Sequence, residues 1–83
     1  MNLYLISRTD AIDYDEYDSA VVAAPDEATA RDMHPRDGAP VDWATGSRYA
    51  FDTWCRSQDC VTVKLIGTAS VEQGVILASY NAG

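Results

Sequence analysis

Eighty-three residues make one small domain, because a chain this short cannot build two hydrophobic cores. A composition of 47% hydrophobic, 10% aromatic and 23% charged residues excludes the apolar poverty of a disordered chain. A formal net charge of −7 lacks the surplus of Lys and Arg that holds a nucleic-acid backbone, so direct nucleic-acid binding is not expected and a charged partner is expected to be basic.

Taken in chain order, Met1 to Ser7 alternates, with Leu3 and Leu5 on one side and Tyr4 and Ile6 on the other. This predicts a first strand covered on both faces. Ser19 to Ala24 contains the β-branched pair Val21 and Val22 between an acidic run and Pro25, which predicts a second strand. Pro25-Asp26-Glu27 suits the first turn of a helix, where a fixed φ and negative charge are both favoured. The helix is expected to run two to three turns, with Ala30 and Met33 on its apolar side and Arg31 outward, until Pro35 stops it after His34. From Arg36 to Gln58 the chain carries turn signals but also Trp43, Tyr49, Phe51 and Trp54, so this stretch is expected to pack back onto the core, with room for a short helix near Arg48 to Cys55. Val61 to Gly67 predicts a third strand with Val61, Val63 and Leu65 inward and Thr62 and Lys64 outward. Val75 to Tyr80 is a continuous apolar run that predicts a fourth, with fraying after it.

The order β-β-α-β-β predicts a single α+β domain over residues 1–83 with a four-stranded antiparallel sheet. The third strand is expected beside the first and the fourth beside the third through a hairpin, giving the order 2-1-3-4. One face is then covered by the short helix and by the aromatic loop from Trp43 to Trp54. No basic n-region precedes the short apolar start, and no stretch approaches the roughly 20 apolar residues of a membrane helix, so a soluble protein of the cytoplasm is expected. In that compartment Cys55 and Cys60 are expected as thiols.

The charge is segregated. Residues 10 to 32 hold eight acids and one base, while the rest of the chain is balanced at five of each. Within that window, Asp10, Asp13, Tyr14, Asp15, Glu16, Tyr17 and Asp18 interleave carboxylates, which meet Arg forks, with tyrosines, which give contact area at low entropy cost. These seven residues are the candidate partner-binding site, and a basic protein surface is the partner they suit. Two other readings stay open: a solvated acidic loop that keeps the domain soluble, and a weak divalent-cation site at Asp13-x-Asp15-x-x-Asp18. An EF-hand is excluded, because counting from Asp13 the sixth and twelfth positions are Asp18 and Ala24 instead of Gly and Glu.

Catalysis finds little material. His34 is the only histidine, set at a helix end where contact with the last carbonyls is its ordinary role, and no nucleophile elbow or phosphate-binding glycine motif occurs. Cys55, Cys60 and His34 fall short of a four-ligand zinc set. No cofactor, no resident metal and no enzymatic activity are expected.

The stretches Tyr14 to Ala24, Pro25 to Arg31, Val61 to Ala69 and Gly74 to Gly83 resemble small accessory proteins encoded by bacteriophages. The resemblance implies a phage product acting in the host cytoplasm. By analogy with small acidic phage proteins of similar plan, it implies an anti-defence inhibitor of the anti-CRISPR type that blocks a nucleic-acid-handling host protein. Two further classes stay open: a self-oligomerising or assembly protein that pairs through the edge of the second or fourth strand, and a small-ligand or metal-binding module.

Overall fold

The computed structural model describes residues 1–10, 16–43, 53–55 and 57–81. Four strands form one antiparallel sheet: β1 (Asn2–Arg8), β2 (Glu16–Ala24), β3 (Val61–Thr68) and β4 (Gly74–Asn81). A five-residue helix, α1 (Glu27–Arg31), follows β2, and a 3-10 turn at Gln58–Cys60 leads into β3. The elements and the α+β class agree with the sequence, but the sheet order is β3-β1-β2-β4. β4 therefore does not fold back on β3. It crosses the end of the sheet and pairs with β2, setting Ala20 against Ala78 and Val22 against Val75.

Two physical facts account for this order. The crossing spans three strand spacings, about 14 Å, which the five residues between Thr68 and Gly74 reach when extended at roughly 3.3 Å each. Met1 anchors the crossing by exchanging backbone hydrogen bonds with Ala69, both at 3.0 Å. The crossing also places the best central strand in the centre. β2 buries Ala20, Val22, Ala23 and Ala24, whereas β3 carries Thr62, Lys64 and Thr68 in a polar alternation that suits an edge.

Register sorts the side chains onto two faces. Tyr4, Ile6, Ala20, Val22 and Ala24 point to the helix side, where they pack with Ala30, Met33, Val41, Trp54, Cys55 and Val61. At the described ends of the aromatic stretch, Trp54 is fully buried, and half-buried Trp43 packs on the cluster while donating to Asp32 Oδ1 at 2.8 Å. Phe51, Tyr49 and residues 48–52 of the short helix expected near Arg48 to Cys55 lie outside the described residues.

The opposite face is covered only in part, where the alternation of β1 predicts full cover: Ala23, which pairs with Leu3 and Gly74, is fully buried there. Leu3 and Leu5 are only half-buried by their neighbours in the sheet, and Leu77, which pairs with Val21, is 68% exposed. Leu65, expected inward, lies opposite Tyr4 yet is 59% exposed, because it sits on an edge strand toward the end where a β-bulge at Ile66 shifts the register.

The helix is shorter than its sequence suggests. Asp26, not Pro25, starts it as N-cap, accepting from Thr29 N at 2.8 Å, and Asp32 ends it. Met33 then bridges to Pro40, and His34 N and Val41 N donate to Ala39 O and Asp32 O, so the chain leaves the helix in a tight hairpin. Gly38 turns that hairpin at φ +77, and a Cβ there would stand 3.3 Å from Met33 Cε. Arg31 is not turned outward: it donates to Val61 O and thereby ties α1 to β3. Interstrand Hα contacts in a nuclear Overhauser spectrum test the topology. They are expected between β2 and β4, around Ala20 and Ala78, and not between β3 and β4.

Candidate functional site

The acidic edge is organised by a cation that composition alone leaves inconspicuous. Arg8, the last residue of β1, has a side chain only 3% exposed. Its fork grips Asp10, with Nε on Oδ1 at 2.6 Å and Nη2 on Oδ2 at 2.9 Å, while Nη1 donates to Glu16 Oε1 and to Tyr17 O, both at 3.2 Å. The guanidinium carbon also stands 5.8 Å from the ring centre of Trp54. Hydrogen bonding to Asp10 raises the guanidinium pKa against the opposing effect of burial, so the charge is held permanently. A buried cation needs this set of acceptors, because without them its desolvation would be uncompensated.

Two of the seven candidate residues, Asp10 and Glu16, are thus drawn inward as the counter-charges of Arg8. Glu16, Tyr17 and Asp18 lie in β2, which begins three residues earlier than the sequence suggests. Tyr17 is half-buried and stands edge-on to Tyr80, with ring centres 4.8 Å apart, and to His34, at 6.0 Å. Asp18 sits at a bulge and accepts from Ser19 Oγ at 3.1 Å. Asp13, Tyr14 and Asp15 lie outside the described residues. Arg8 therefore pins both ends of the acidic segment, Asp10 at its start and Glu16 at its finish.

Beside this edge, Tyr17, Tyr80, Arg36 and Thr53 line an open cavity of about 380 Å³. His34 underlies it, buried, but its role differs from the expected contact with helix carbonyls. Nδ1 accepts from the backbone N–H of Arg36 at 3.0 Å, which places the ring proton on Nε2, 3.2 Å from Thr53 Oγ1. Burial holds its pKa below 6.5, and a proton added at Nδ1 would have to displace the Arg36 N–H. Cys55 is a buried free thiol whose pKa burial pushes up to about 12, so at neutral pH it is protonated and not a nucleophile. Among the described residues, no three His, Cys, Asp or Glu side chains converge as a metal site, and no helix is long and apolar enough to cross a membrane. No family model, curated protein or solved structure matches the chain.

Arg8→Met leaves two carboxylates facing an apolar side chain and is expected to lower stability by about 3 kcal/mol in urea unfolding. Asp10→Asn in the same chain should restore part of that loss. For His34, a native pKa below the unfolded value means that the unfolded chain binds the proton more readily. Stability is therefore full above about pH 6.5 and falls as the pH drops below it. Thermal melts from pH 7.5 to 5.5 are expected to show this slope in the wild type and a flatter profile in His34→Gln.

Proposed function

We propose that the protein is a non-enzymatic binding module that engages a basic surface of another protein through its acidic, tyrosine-bearing edge. One observation carries the reading: buried Arg8 clamps Asp10 and Glu16, so both ends of the acidic segment are fixed to the sheet instead of trailing from it. A segment anchored at both ends has less conformational entropy to lose on binding, and the negative field beside it speeds encounter with a positive patch. In this reading the contact residues are Asp13, Tyr14 and Asp15 with Asp18, while Asp10, Glu16 and Tyr17 serve as their support.

The resemblance to phage accessory proteins suggests the partner class. It is a nucleic-acid-handling defence protein of the host, inhibited in the cytoplasm by occupation of its basic groove. Segregation of the whole net charge into residues 10–32 supports the same choice.

The test is a pulldown from bacterial lysate with wild type and Asp13→Lys/Asp15→Lys, read by mass spectrometry. Glu16 is left intact because a lysine there would face Arg8. A basic protein is expected with the wild type at low salt, to be lost both with the variant and as salt rises. Retention that is equal for the two chains would end the acidic-edge reading.

A further inference from the structure

The geometry points to the cavity beside the acidic edge as an anchor pocket for an uncharged aromatic side chain, the phenol of a tyrosine or the indole of a tryptophan, presented by the basic partner. Who presents the ring rests on the acidic-edge reading, whereas the chemistry of the pocket rests on its own walls. Tyr17, Tyr80, Arg36 and Thr53 line about 380 Å³. That is the lower end of the roughly 300–1,000 Å³ of ligand pockets and suits a single ring system.

The walls are held in place before anything binds. Tyr17 and Tyr80 are register partners on β2 and β4, with ring centres 4.8 Å apart and planes at 68°. Buried His34 supports two walls at once, edge-on to Tyr17 at 6.0 Å and with Nε2 3.2 Å from Thr53 Oγ1. Side chains positioned in this way have little freedom left to lose on binding. Tyr80 is nonetheless 44% exposed, so the aromatic wall opens to solvent, where a ring with a polar tip serves as an interface surface.

Charge narrows the occupant. The guanidinium of Arg36 repels a cation from the cavity. A free anion is repelled by a chain of net charge −7, in which Tyr17 itself stands between Glu16 and Asp18. A neutral ring meets neither penalty. It packs edge-to-face on a tyrosine, and a guanidinium stacks on it through its flat face, whatever the N–H edge meets. The hydroxyl oxygens of Tyr17, Tyr80 and Thr53 are acceptors for a phenol O–H or an indole N–H. Because Tyr17 lies within the acidic run, pocket and acidic segment are continuous, an aromatic anchor beside a charged rim.

The experiment is an amide-resolved NMR titration with p-cresol up to about 20 mM, beside benzoate, methylguanidinium and 4-methylcyclohexanol as anionic, cationic and non-aromatic controls. p-Cresol is expected to shift the amides of Tyr17, Arg36, Thr53 and Tyr80 with a Kd of about 1–10 mM, unchanged between low and high salt, and each control to bind at least about fivefold more weakly. Tyr80→Ala is expected to weaken p-cresol about tenfold and Arg36→Gln about threefold, while Leu77→Ala, on the other side of β4, leaves it within about twofold. Retained contacts between β2 and β4 around Ala20 and Ala78 show that each variant is folded. Absence of binding, tighter binding of any control, or p-cresol affinity unchanged in both Tyr80→Ala and Arg36→Gln overturns the proposal. A blocked pentapeptide with tyrosine between two lysines on each side tests the presenter. It is expected to bind about tenfold more tightly than p-cresol at low salt, and to lose that gain in Asp13→Lys/Asp15→Lys, which leaves p-cresol itself unaffected. If p-cresol binds and the peptide shows no gain, the pocket stands and the acidic-edge reading fails, so the two are separable.

Discussion

The buried guanidinium of Arg8 is the interaction on which the functional end of this molecule depends. A charge on the last residue of β1, closed off from water and lying near Trp54, must find acceptors, and it finds them at Asp10, Glu16 and the carbonyl of Tyr17. Satisfying that one cation fixes where the chain leaves β1 and where it enters β2. Through Tyr17 the same constraint reaches Tyr80 on β4 and His34 beneath the cavity, so charge, aromatic packing and sheet pairing are coupled at one end of the fold.

A second constraint is the shortage of chain. One helix of five residues, a hairpin turned by Gly38 and the side chains of Trp43, Trp54 and Cys55 pack on one face of the sheet. Those pieces are small, so each is pinned polar-to-polar: Arg31 to Val61 O, Trp43 and Gln58 to Asp32, and His34 between Arg36 N and Thr53. On the far side Ala23 is fully buried, while Leu77 of the outer strand β4 is exposed.

Much of this was legible in the residues, because strand periodicity and helix capping are local. The alternation from Val61 to Gly67 and the run from Val75 to Tyr80 located β3 and β4 to within a residue, and the acids after Pro25 marked the start of α1. The expected order 2-1-3-4 places the fourth strand wrongly, although a signal for β3-β1-β2-β4 was present. The small, continuous apolar run Ala20 to Ala24 fits a strand with neighbours on both sides, while Lys64 among threonines fits an edge. A five-residue connection permits either a hairpin or a crossing, and only the competition between burying β2 and burying β3 chooses.

The sequence by itself determined the elements, the single mixed domain and the segregation of charge, since each follows from neighbouring residues and their spacing. Tertiary structure alone decided that β4 completes β2, that Asp10 and Glu16 turn inward, and that Leu77 faces outward. The reason is common to all three. Whether a side chain is buried depends on what the rest of the fold brings against it, and pairing, ion clamping and cover all join residues that are distant in sequence or on opposite sides of a turn.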